Sequence, residues 1–388
     1  MAAPARGVDR AGRSLERHPA EHAAMTDPTR TAPPLPEPGS VLPTRGHVST
    51  RSLPRNPPSQ RYRPPAKLGL GGVAFGNGFA AASDAQCEAT LAAAWEAGVR
   101  YFDTSPWYGL GLSERRFGHV LHRHPAEEYV LSSKVGRLLT GTSGPLQETM
   151  WVEPAPFRYR YDYSAAATRR SVEDSLNRMG VSQLDVVFIH DLSPDNEQDL
   201  GMPWERRFTE AAKGAMPELT RMRAEGLIKA WGFGVNRPEP ALAALEEADP
   251  DIFLLACQYS LLDHARALHE TFPRIAARGA SVVVGVPLLA GYLAGRDRYL
   301  YEGEVPDWAP GKRARVQAAC DRHGVDLRTV ALQFAAAPDV VAAVIPGART
   351  PEQVRANVAS MAVDVPSALW AELKDEGLVE REAPVPAA

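Results

Sequence analysis

The sequence has little that would tie it to an oxidising compartment, a membrane or a polyanion. Its three cysteines, Cys87, Cys257 and Cys320, lie far apart in 388 residues. An odd, scattered set argues against a disulfide framework and for a reducing, cytoplasmic setting. No apolar run approaches the length needed to span a bilayer, and the N-terminus lacks the apolar core of a secretory signal. The net charge is only -4, which gives no basis for nucleic-acid or membrane-surface binding. His119, His122 and His124 have no cysteine or carboxylate at ligand spacing, so they read as a solvated helix end and no metal site is expected.

Residues 1–66 lack a hydrophobic period. They are dense in Pro, Arg, Ser and Thr, as in PPLPEP and PRNPPSQRYRPP. Such a segment buries too little apolar surface to offset its ordering entropy, so a disordered extension is expected there, with Met25 as an alternative start. Residues 67–388 are expected to form the folded domain.

From Lys67 on, short aliphatic runs alternate with amphipathic ones. The short runs are LGLGGVAFG, YFDT, YVLSSKV, LDVVFIH, IKAWGFGV, DIFLLAC, SVVVGV and VVAAVI. Ser83–Gln86 reads as a capping box opening a helix to Ala97. Further helices are expected over 112–121, 164–179, 215–225, 239–248, about 263–278, about 311–323, 326–336, 351–361 and about 366–375. Strands that are apolar on both faces call for a parallel sheet covered by helices. Eight such units predict an α/β fold, a (β/α)8 TIM barrel. GLGLGG lacks the spacing of a dinucleotide-binding turn and does not support a doubly wound sheet.

Barrel chemistry sits at the C-terminal ends of strands. Asp103 ends the second strand, Lys134 the third and His190 the fourth, and Tyr108 lies in the loop after the second. Singly, these residues would read as a turn carboxylate, a snorkelling lysine, a hydrogen-bonded histidine and a packed tyrosine. Successive strands are neighbours, so the set converges. A phenol titrates near pH 10, and a neighbouring ammonium lowers that value. Asp103 would hold Lys134, Lys134 would tune Tyr108 as acid/base, and His190 would bind the reacting oxygen. With no activated nucleophile, the set suits redox chemistry in which a cofactor carries the hydride. The loop 137–163 is rich in aromatics, and Trp107, Trp151 and Phe157, with Tyr108 and His190, are expected to wall the substrate.

YFDTSPWYGLGLSE, SSKVG, FIHD and IPGARTPEQVRAN resemble segments of the aldo-keto reductase family, over about Lys67 to Leu378. The resemblance implies nicotinamide-dependent oxidoreduction with Asp103, Tyr108, Lys134 and His190 as catalytic residues. YGLGLSERRFG, SKVGRLL, PFRYRYDYS and QYSLLDH are similar to the branch of D-threo-aldose (L-fucose) 1-dehydrogenases and pyridoxal 4-dehydrogenases. It implies oxidation of the anomeric hydroxyl of an L-fucose- or D-arabinose-type aldose, or of a pyridoxal-like hemiacetal, to a lactone. Cofactor contacts implied are Gly72, Asp103, Asn236, Gly285, Pro287, Leu288, Gly291, Pro346, Gly347, Ala348, Arg349, Thr350, Gln353 and Asn357. Gly234-Val235 stands where many members have a Ser-Asn pair, and Gly285 replaces a stacking aromatic. Gly347 and Gln353 stand where cations often grip a 2′-phosphate. NAD is therefore expected, with NADP left open by Arg349 and Arg355. The expected partners are a small-molecule substrate and the cofactor, in a monomer or small homo-oligomer. The alternatives are an NADPH-dependent reductase of small aldehydes or ketones and a cofactor-binding regulatory subunit.

Overall fold

The computed structural model describes residues 61–301 and 304–386. The expected barrel forms. Its strands are β1 (Leu70–Gly71), β2 (Tyr101–Asp103), β3 (Val130–Val135), β4 (Leu184–His190), β5 (Ile228–Val235), β6 (Ile252–Ala256), β7 (Ser281–Gly285) and β8 (Val341–Ile345). Each pairs in parallel with the next. Bridges Leu68 to Val344 and Gly71 to Gly347 join β8 back to β1.

The strands bury both faces, so their residues divide by parity. Val187, Ile189, Phe253, Leu255, Val282 and Val284 pack outward in the layer shared with the helices. Tyr101, Val130, Val186, Phe188, Ile252, Leu254, Val283 and Ala343 form a separate cluster, the barrel interior. Asp103, Lys134 and His190 continue three of these inward rows: Tyr101 to Asp103, Val130 through Ser132 to Lys134, and Val186 through Phe188 to His190. The polar set is the top layer of a core that is apolar below it.

Of the extension, residues 1–60 lie outside the described residues. The described part begins ahead of the expected boundary at Lys67. Tyr62 packs against the interior cluster, and Arg61 pairs with Asp249 at 2.7 Å, closing the end opposite the site.

Helix Asp84–Glu96 starts as expected, with Ser83 Oγ accepting from the Gln86 backbone N–H. The Gln86 side chain does not complete the box; it donates to the Arg349 carbonyl and ties this helix to the loop after β8. Helix Ala165–Met179 ends on left-handed Gly180. The expected helix over about 263–278 is a π turn at Ala267–Thr271 followed by Phe272–Ala277. Pro273 in its first turn offers no N–H to the preceding turn. The elements not anticipated include two longer ones. Helix Trp204–Lys213 precedes the expected one at Ala215. The loop 137–163 contains an antiparallel hairpin of Arg137–Gly141 and Phe157–Tyr161. Among the described residues no helix is long and apolar enough to cross a membrane.

Candidate active site

Asp103 and Lys134 meet at the top of the interior. Lys134 Nζ donates to Asp103 Oδ2 at 2.7 Å and to the Thr104 carbonyl at 2.8 Å. The other carboxylate oxygen accepts from Ser132 Oγ at 2.7 Å. The residues are 1% and 2% exposed, so neither charge is solvated by bulk water. Burial raises the Asp103 carboxyl and lowers the Lys134 ammonium, and each group opposes that shift in the other. Behind Lys134, Glu114 is fully buried and accepts from Ser133 Oγ and Arg178 Nε. It fixes β3 to two helices.

Tyr108 is carried by a turn in which Trp107 N–H donates to Ser105 Oγ and Tyr108 N–H to the Ser105 carbonyl. Gly76 and left-handed Gly109 pass face to face here; a Cβ on Gly76 would lie 2.4 Å from the Tyr108 carbonyl carbon. The Tyr108 ring lies 5.9 Å from His190 and 5.7 Å from Trp151 between centroids. Lys134 Nζ stands 4.6 Å from the ring centre.

The expected tuning of Tyr108 is corrected. Burial raises its phenol well above the ordinary value, Asp103, Tyr301 and Asp191 add to this, and Arg137 opposes it. Burial is the largest influence on the phenol, although the Lys134 ammonium stands beside the ring. Burial, with Lys134 and Arg137, holds His190 well below its ordinary value, so the imidazole is neutral. Ser105 Oγ lies 3.2 Å from His190 Nδ1, which leaves Nε2 on the side of Asp191, 3.4 Å away.

These groups open into a cleft of about 1080 Å³ across the strand ends. Its far side suits a dinucleotide. Arg296, Arg298 and Arg349 border it with no carboxylate partner among the described residues. Arg298 lies over Phe79 and donates to the Ala290 carbonyl; Arg349 donates to the Gly78 and Ala80 carbonyls. After burial, like charge is what depresses Arg298 and also acts on Arg349. Cations gathered without carboxylates form a donor set for phosphate. The backbone here is strained: Val286, Leu289 and Ala290 hold φ of 59°, 50° and 57°. Gly72 gives the cradle its closeness, since a Cβ there would lie 2.6 Å from the Asp103 carbonyl.

The cleft brings together the four catalytic-type residues, Trp107 and Trp151. It also gathers Gly72, Asn236, Gly285, Pro287, Leu288, Gly291, Pro346, Gly347, Ala348, Arg349, Gln353 and Asn357. Thr350 stands at the start of helix Pro351–Met361 as expected, accepting the Gln353 N–H as its N-cap. One expected contact is elsewhere: Phe157 pairs with Gly141 at the far end of the hairpin. Asn236 borders the cleft but donates to Asp195 at 3.0 Å. Gly234 has tight surroundings, its ideal Cβ lying 3.2 Å from Phe188 Cβ and 3.6 Å from Lys134 Cε. His124 stacks on Trp95, and His122 Nδ1 lies 2.6 Å from the Gly118 carbonyl, so both serve the helix end.

Sequence reasoning missed Arg137, Asp191, Asp199, Arg296 and Arg298. The alternation in FRYRY carried a signal for the hairpin: Phe157, Tyr159 and Tyr161 share one half-buried face. Arg296 and Arg298 gave none, because their roles depend on how the loop after β7 folds.

The Aldo/keto reductase family pattern matches residues 67–376. A D-threo-aldose 1-dehydrogenase from Pseudomonas sp is 35% identical over 322 residues, covering 80% of this chain and 94% of that protein. A pyridoxal 4-dehydrogenase from Microbacterium luteolum is 35% identical over 327 residues, with the same coverage. The solved aldo-keto reductase AKR11C1 from Bacillus halodurans (holo form) superposes with a TM-score of 0.62 at 24% identity, over 84% of this chain and 98% of that one. The chain belongs to the aldo/keto reductase family and is an NAD(P)-dependent oxidoreductase.

Proposed function

We propose that this enzyme oxidises the anomeric hydroxyl of an aldose of the L-fucose or D-arabinose type, or a pyridoxal-like hemiacetal, to a lactone. The observation that carries the reading is the inward-facing set Asp103, Lys134 and His190 under Tyr108, in a chain 35% identical to the two dehydrogenases. Trp107, Trp151 and Tyr159 offer aromatic faces to a sugar or pyridine ring.

A nicotinamide held here would supply the hydride acceptor for the reacting carbon. Tyr108 takes the hydroxyl proton as the carbon–oxygen double bond forms. His190, neutral and anchored by Ser105, donates Nε2–H to the reacting oxygen. Asp103 holds Lys134 in place. Gly72, Gly285, Pro287, Gly347 and the arginines would hold the cofactor. We assign NAD over NADP: Gly347 and Gln353 stand where cations often grip a 2′-phosphate, and Arg355 is exposed beside Glu352. The three scattered cysteines fit a reducing, cytoplasmic setting.

Initial rates with NAD⁺ plus L-fucose or pyridoxal, against NADPH plus a simple aldehyde, test the assignment. Faster oxidation supports it; faster aldehyde reduction supports a reductase. Bound cofactor oxidised once without repeated turnover would mark a regulatory subunit.

The pH profile has a defined sign. Proton acceptance needs the phenolate, and the raised Tyr108 value makes it scarce at neutral pH. Oxidation kcat is expected to climb through pH of about 7 to 10 without a plateau. No inflection is expected near pH about 6.5, because His190 is already neutral. A plateau below about pH 8 would contradict the raised Tyr108 phenol.

A further inference from the structure

The loops after β3 and β4 build a second polar group beside the reacting centre. Arg137, 3% exposed, donates through Nη1 to Asp191 Oδ2 at 2.5 Å and through Nη2 to Asp199 Oδ2 at 3.0 Å. Its guanidinium lies 4.2 Å from the Trp107 ring centre and 4.6 Å from that of Tyr161. Tyr159 and Tyr161 each donate a hydroxyl to Asp199 at 2.7 Å. Asp199 thereby fixes the arginine, and the arginine fixes Asp191. A forked cation between aromatic faces holds a carboxylate in one orientation.

Asp191 is also held by its backbone. Its φ is +48°, a left-handed conformation costly for a residue with a side chain. Its N–H donates to the Gly234 carbonyl at 3.1 Å. The result places Oδ1, the oxygen not taken by Arg137, 3.4 Å from His190 Nε2. Asp191, Asp199 and Arg137 all border the cleft. A substrate oxygen bound to His190 Nε2 therefore has a carboxylate oxygen beside it. Adjacent hydroxyls on a sugar ring lie about one hydrogen-bond length apart, so the next hydroxyl along the ring reaches Oδ1 as a donor. The two sides of the mouth also differ in charge. Asp191, Asp195 and Asp199 come from the loop after β4, whereas the unpaired arginines come from loops after β7 and β8, across the barrel.

We propose that Asp191, clamped by Arg137, is the specificity residue that requires a hydroxyl on the carbon next to the reacting one, so that the substrate is an uncharged 2-hydroxy aldose. This rests on the proposed oxidation and chooses between its two substrate classes. The carboxylate accepts the neighbouring hydroxyl, and it repels a phosphate or phenolate brought to the same place.

The test compares kcat/KM for L-fucose and 2-deoxy-L-fucose in the wild type and in Asp191→Asn. Asparagine tolerates left-handed backbone, and Asp191→Gly is a second variant that does so. Intrinsic reactivity differs between the two sugars, but equally for every variant, so it cancels when their ratios are compared. The wild-type preference for L-fucose is expected to fall by about 10- to 100-fold in Asp191→Asn, mostly through KM. An unchanged ratio in both variants overturns the proposal. If the wild type oxidises no aldose or hemiacetal at all, the oxidation reading itself fails. The subsite is then judged by calorimetric titration of 1,5-anhydro-L-fucitol and its 2-deoxy form with oxidised cofactor present. Tighter binding of the 2-hydroxylated probe to the wild type, lost in Asp191→Asn, supports the subsite; equal binding overturns it.

Discussion

Tyr108→Phe is expected to lower kcat by about 10²- to 10⁴-fold while leaving KM and folding nearly unchanged. The hydroxyl is the only group removed, and it makes no hydrogen bond among the described residues. The ring contacts with Trp151, His190 and Lys134 survive in phenylalanine, so the stability change is expected to stay within about 1 kcal/mol. Steady-state kinetics and a thermal melt read the two halves. A variant with near-normal turnover would show that Tyr108 is a packed aromatic at the cleft wall.

Lys134→Met has the second large effect, and it acts on both folding and rate. The substitution leaves Asp103 fully buried without its cation, a change that costs about 3–5 kcal/mol when the carboxylate stays charged. Burial already raises the Asp103 carboxyl, so the group can relieve part of the cost by taking up a proton. Adding Asp103→Asn removes the stranded charge and is expected to restore most of the melting temperature, because an amide still accepts from Ser132. Turnover is expected to stay low in the double variant, since Lys134 no longer stands under the Tyr108 ring. Recovery of activity together with stability would reduce the pair to a structural ion pair.

The barrel and its polar top layer were legible in the sequence for the same reason. Parallel strands buried on both faces leave a period-two pattern, and Asp103, Lys134 and His190 interrupt it at the inward positions of three successive strands. The loops were less legible. Arg137 stands just beyond Lys134, and nothing local shows that a hairpin will fold Tyr159 and Tyr161 over it. Asp191 follows His190 directly, but its importance depends on a left-handed φ that sequence does not announce in an aspartate. Phe157 reads as a substrate wall from its place in an aromatic-rich loop at the barrel mouth; the hairpin pairs it with Gly141 at its far end. The tuning of Tyr108 was misjudged because proximity of a cation was expected to outweigh burial, and the structure orders them the other way.

The most direct test of the proposed chemistry is the fate of the anomeric hydrogen of L-fucose deuterated at carbon 1. Mass spectrometry of the reduced nicotinamide after turnover with NAD⁺ is expected to show the deuterium transferred to the cofactor, alongside the lactone. Reduced cofactor without deuterium, or no turnover of the sugar beside rapid reduction of simple aldehydes, would contradict it.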